Sequence, residues 1–121
     1  MKRDAYEMSL LLDYYGALLT DKQKTYFDLY YNQDYSLGEI AAEEGISRQG
    51  VHDAISRAEA VLEQVERAAG CVARAGALRD AMQRITAAAS ALAQNDNPAV
   101  RQRAQEILAA AASVKEYDYG I

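Results

Sequence analysis

From Val51 onward, the apolar residues Val51, Ile55, Ala58, Leu62, Val65, Ala69 and Val72 follow alternating steps of four and three without interruption. Only an α-helix puts such a series on one face, and a repeat sustained this long forms a seam that buries itself against other helices. The pattern predicts one helix of roughly 27 residues, about 40 Å long. Similar spacing joins Met8, Leu11, Leu12, Tyr15, Leu18 and Leu19, predicting a helix over residues 4–19. After Gly76 a second seam takes Leu78, Ala81 or Met82, Ile85, Ala88 or Ala89, and Leu92. A third takes Val100, Ala104, Ile107, Ala111 and Val114. No alternation of apolar and polar residues rich in β-branched side chains is sustained, so the expected class is all-α.

The stops between these stretches have local causes. Thr20-Asp21-Lys22-Gln23 reads as a capping box: the threonine oxygen accepts a free backbone N–H while the glutamine reaches back, opening a helix over residues 21–31. Asn32-Gln33-Asp34-Tyr35 is turn chemistry. Ser36-Leu37-Gly38-Glu39 is a second capping box, and the short helix it opens ends at Gly45, a residue suited to the left-handed conformation. Ser47 caps the long helix. Pro98, after Gln94-Asn95-Asp96-Asn97, fits a first helical position.

Composition divides the 121 residues into two parts. Eight of the ten aromatic residues lie in the first 35 positions, whereas seventeen alanines lie between Ala68 and Ala112. The expected organisation is a helical domain over residues 1–68 and an alanine-rich helical extension over residues 69–121. That extension is expected either to pack on the first part or to form a homodimer interface. A single cysteine, Cys71, and a single histidine, His52, exclude Cys/His zinc clusters and the triads and dyads built on those residues. Neither metal, cofactor nor enzymatic activity is expected. The cysteine count, the lack of a long apolar run and a start without an apolar leader point to the cytoplasm, with no membrane insertion. The net charge of −5 is uneven: residues 1–68 carry seven basic and thirteen acidic side chains, residues 69–121 six and five.

The most specific segment is residues 36–57, which reads as helix, tight turn, helix, the pattern of a helix-turn-helix. Ile40, Ile46, Val51 and Ile55 are expected to form the core shared by the two helices, with Ala41 small at their crossing. With Val51, Ala54, Ile55 and Ala58 turned inward, Gln49, His52, Asp53 and Ser56 turn outward behind Ser47, and Arg48 and Arg57 flank them. Arginine suits guanine or phosphate, glutamine adenine and aspartate the cytosine amino group; serine is versatile. Lys22 and Lys24 add candidate phosphate contacts. Two positions depart from the usual pattern: Glu44 precedes the turn glycine where an apolar residue is commoner, and Gly50 lies in the first turn of the second helix.

Leu11-Leu12-Asp13-Tyr14-Tyr15-Gly16, Leu18-Leu19-Thr20-Asp21-Lys22-Gln23, Leu29-Tyr30-Tyr31 and residues 36–57 together resemble the YlxM family of small bacterial proteins, over roughly residues 8–68. That family is similar to the fourth region of sigma factors, and its genes accompany those of the signal recognition particle and its receptor. The resemblance implies a regulatory nucleic-acid-binding module, for DNA or RNA, with a part in signal-recognition-particle targeting. A second reading stays open. The acidic first half would repel nucleic acid and dock a basic component of the targeting machinery, the helix-turn-helix serving only as scaffold.

Overall fold

A computed structural model describes residues 2–115 and contains α1 (Ala5–Tyr15), α2 (Asp21–Tyr31), α3 (Leu37–Glu44), α4 (Arg48–Ala69), α5 (Cys71–Leu92) and α6 (Pro98–Lys115). No strand occurs among the described residues, and the chain is all-α. The polar tail after Lys115 lies outside them.

The caps follow the local chemistry of the sequence. Both bonds of the capping box are present at Thr20/Gln23 and again at Ser36/Glu39. The backbone N–H of Ser36, which donates to the Glu39 carboxylate, holds that carboxyl below its ordinary pKa. Ser47 Oγ accepts from the N–H of Gly50, starting α4, and Gly45 takes the left-handed conformation at φ 71°. Asn97 Oδ1 accepts from Ala99 N–H and puts Pro98 first in α6.

Three expectations are corrected. α1 stops at Tyr15 and the chain tightens into a 3-10 turn over Gly16–Leu18, leaving Leu18 60% exposed. The long seam is cut at Gly70, which closes α4 in the left-handed conformation at φ 66°. α5 then runs unbroken through Gly76, so the break falls at Gly70 and Val72 belongs to the next helix. Ile46 lies 38% exposed beside the turn, outside the core where the sequence placed it. A Cβ at Gly76 would meet no atom within 4 Å. Gly76→Ala is therefore expected to stabilise the protein by about 0.5–1 kcal/mol, read by thermal or urea unfolding.

The chain divides into two compact units between Val72 and Ala73. In the first, α1, α2 and α3 pack against α4 around Met8, Leu11, Tyr26, Phe27, Ile40, Val51, Ile55 and Leu62. Phe27 and Tyr31 pack with centroids 4.7 Å apart and their rings tilted by 46°, and most of the N-terminal aromatics serve packing. In the second unit the buried residues are alanines, Ala75, Ala89, Ala104 and Ala111.

Two tyrosine hydroxyls tie the first unit together. Tyr31 donates to Glu59. Tyr15 donates to Glu66 Oε1 at 2.5 Å and accepts from the Cys71 N–H at 3.1 Å, while Val72 N–H donates to the same Glu66 oxygen. Glu66 and Tyr15 thereby satisfy free N–H groups at the start of α5. Burial, and next the carboxylate each faces, push both phenols well above their ordinary pKa of 10.0. A raised native pKa means that folding favours the protonated phenol, so this stability is whole below pH 10 and is lost as the pH climbs beyond it. Unfolding midpoints are expected to fall above pH 10, and to fall less steeply in a Tyr15→Phe/Tyr31→Phe variant.

Candidate nucleic-acid interface

The N-terminal half of α4 divides cleanly. Val51, Ile55 and Ala58 are buried, whereas Ser47, Arg48, Gln49, His52, Asp53, Ser56 and Arg57 are exposed. At 100° per residue, Gln49, His52, Asp53 and Ser56 fill one arc, and Arg48 and Arg57 stand at its opposite edges, about 13 Å apart along the axis. Because they flank the arc on opposite sides, each arginine can reach a different phosphate wall while the arc between them faces base edges.

The polar groups on this face differ in availability. Asp53 Oδ1 accepts from Gln49 Nε2 at 2.9 Å and lies 3.5 Å from His52 Nδ1, an ion pair only when the imidazole is protonated. Gln49 and Asp53 thus bond each other one turn apart, leaving a second Gln49 N–H, its Oε1 and Asp53 Oδ2 for a base. Arg48 and Arg57 enter no hydrogen bond or ion pair among the described residues, so their five-donor guanidinium forks are ready for phosphate or guanine. Ser47 spends its oxygen as the cap acceptor, yet its hydroxyl hydrogen can still be donated.

Gly50, the departure from pattern in the first turn, has a steric reason. A Cβ there would come within 3.1 Å of Ser47 Oγ, crowding the cap that starts the helix. Glu44 is exposed at the end of α3 and closes no core.

Lys22 and Lys24 are exposed in the first turn of α2, and no hydrogen bond or ion pair ties either to the α4 face. The structure therefore gathers seven of the nine sequence-derived candidates on one face and leaves the two lysines on another helix. Sequence reasoning missed a cleft of about 90 Å³ bordering that face, where Tyr30, Leu37 and Glu59 join His52 and Ser56. Ile46, read as core, is the other unanticipated neighbour, an exposed aliphatic side chain beside the N-terminus of α4. Among the described residues no group of three or more His, Cys, Asp or Glu side chains gathers to hold a metal, and no helix is long and apolar enough to cross a membrane.

A short helix capped by Ser36, a left-handed glycine and a second helix with an exposed polar arc define a helix-turn-helix protein. Residues 2–100 match the model of the family UPF0122, described as "Putative helix-turn-helix protein, YlxM / p13 like", and the chain belongs to that family. Among its relatives, a UPF0122 protein of Thermoanaerobacter sp. is 55% identical over 74 residues, 61% of this chain and 63% of that protein. One from Caldanaerobacter subterraneus subsp. tengcongensis is 57% identical over 72 residues, 60% of this chain and 62% of the relative. One from Lacticaseibacillus casei is 58% identical over 62 residues, 51% and 55% of the two chains. The matched part thus spans less than two thirds of these relatives.

Proposed function

We propose that this chain is a non-enzymatic, cytoplasmic regulator that binds DNA or RNA through the N-terminal half of α4 and works within the signal recognition particle pathway. The observation that carries the nucleic-acid reading is the pair of arginines, Arg48 and Arg57, that enter no hydrogen bond or ion pair among the described residues and stand at the two edges of one exposed polar arc. Arg48, Arg57, Ser47, Lys22 and Lys24 would hold phosphates, and Gln49, His52, Asp53 and Ser56 would meet base edges. The pathway assignment rests on the YlxM resemblance.

Equilibrium binding of the full chain to duplex DNA and to signal-recognition-particle RNA, each over a salt series, tests the reading. Each phosphate contact adds about −0.9 to the slope of log affinity against log salt for duplex DNA, and about −0.7 for single strands. A slope worth several contacts on either ligand supports it, and the ligand that binds at physiological salt decides between DNA and RNA. Absence of binding to both at low salt refutes it.

The charge balance favours a second reading. Residues 1–68 carry six more acidic than basic side chains, and Glu39, Glu43 and Glu44 are all exposed on α3 beside the candidate face. Such a field favours a basic protein of the targeting machinery, docked on a helix-turn-helix that acts as scaffold. In that case replacing Arg48 and Arg57 would leave partner binding unchanged.

A further inference from the structure

Resting on the nucleic-acid reading above, we infer that Asp53 is a positioning residue of that interface: it holds His52 as an imidazolium whose outer N–H gives the ligand a third cationic contact beside Arg48 and Arg57. Three side chains on one arc of α4 carry this. Gln49 Nε2 donates to Asp53 Oδ1 at 2.9 Å, and the same oxygen lies 3.5 Å from His52 Nδ1. The amide fixes the carboxylate, and the carboxylate faces one nitrogen of the ring. His52 Nε2 enters no hydrogen bond among the described residues, and the imidazole side chain is 57% exposed, so this second nitrogen is open to a ligand.

Protonation decides what that nitrogen offers. A neutral ring with its proton on Nδ1, toward Asp53, presents a lone pair at Nε2, which opposes phosphate oxygens and the O6 and N7 acceptors of guanine. The imidazolium donates from both nitrogens, one N–H to the carboxylate and the other to the ligand. Binding in this mode takes up a proton, and histidine is the side chain whose charge ordinarily changes between about pH 5 and 8. On α4 the charged neighbours are Arg48 one turn before the ring, Asp53 beside it and Glu59 in the same cleft, where Glu59 already accepts from the Tyr31 hydroxyl. From the elements packed alongside, α2 brings Tyr30 and Tyr31 and α3 the apolar Leu37, while Lys2 lies over the Tyr30 ring and pairs with Asp34. Asp53 is therefore the carboxylate placed to hold the imidazolium. Residues 47–57 carry two arginines against one aspartate, so a proton on His52 doubles their formal charge from +1 to +2.

Equilibrium binding of the full chain to a mixed-sequence DNA duplex and to signal-recognition-particle RNA, at constant ionic strength, tests the inference. Affinity for the bound ligand is expected to rise about five- to tenfold from about pH 7.5 to about pH 5.5, a tenfold change being one pKa unit of linkage. His52→Gln keeps a polar side chain that cannot titrate and should abolish the rise. Asp53→Asn separates positioning from simple charge. Removing a carboxylate that only repelled phosphate would tighten binding equally across the range, whereas removing the imidazolium's partner should shift the rise to lower pH. Both side chains are exposed, so helical circular dichroism should be retained in each variant. Absence of binding at every pH refutes the nucleic-acid reading and this inference with it. Binding indifferent to pH, a rise that survives His52→Gln, or one unchanged by Asp53→Asn overturns this inference alone and leaves that reading standing.

Discussion

Replacing Arg48 and Arg57 together with alanine is expected to remove most nucleic-acid affinity while leaving the fold intact. Both side chains are exposed and enter no hydrogen bond or ion pair among the described residues, so the unfolding free energy should change by less than about 0.5 kcal/mol. Each lost phosphate contact should flatten the duplex salt slope by about 0.9, and an arginine paired with guanine should cost about 1–3 kcal/mol. Gln49→Ala should cost less, because that amide is neutral and spends one of its two N–H donors on Asp53. Parallel titration and denaturation of the double variant separate the two effects. Unchanged binding would assign the contact to another surface.

The largest stability effects are expected at Phe27 and Leu62, both fully buried where α2 and α4 meet the rest of the first unit. Truncation removes the transfer free energy of the side chain and leaves a cavity that close-packed neighbours fill only in part. Phe27→Ala should cost about 3–5 kcal/mol and Leu62→Ala about 2–5 kcal/mol. Phe27→Ala also removes the ring packed against Tyr31, and with it part of the support for the Tyr31 to Glu59 bond. Urea denaturation at a single temperature reads both. A cost under about 1 kcal/mol at either site would mean that the core is not packed as described.

What the sequence made legible was whatever is decided within one helical turn. Thr20, Ser36 and Ser47 cap their helices through oxygen and N–H groups three residues apart, and Gly45 turns because it lacks a Cβ. The outward arc of α4 was equally plain, since Val51, Ile55 and Ala58 fix the rotation of the helix. The break at Gly70 was not, because the apolar steps continue across it to Val72. What ends α4 and starts α5 there includes a hydrogen bond from Cys71 to Tyr15, 56 positions away. Ile46 was misplaced for a related reason: its burial depends on how α3 and α4 meet, and no periodicity spans a turn of three residues. The choice between Ala81 and Met82, or Ala88 and Ala89, needed the exposure of each. The structure leaves Ala81 and Ala88 exposed, Met82 half-buried and Ala89 buried.

At the candidate interface, residue identities were legible while their availability was not. Sequence treats Gln49, His52 and Asp53 as three independent readers, and the structure joins them in one network centred on Asp53 Oδ1. Among the described residues the arginines are the charged groups on this face that enter no hydrogen bond or ion pair. Lys22 and Lys24, on α2, would extend the footprint only if the ligand reaches beyond the helix-turn-helix.

Amide chemical-shift mapping of the labelled full chain, titrated with short duplex DNA and with signal-recognition-particle RNA, tests the central claim most directly. The account predicts that the largest changes fall on residues 47–57, with the side-chain signals of Arg48 and Arg57 among them, and that the first turns of α1 stay unmoved. Changes concentrated elsewhere, or none on α4 under conditions where the ligand binds, would contradict it.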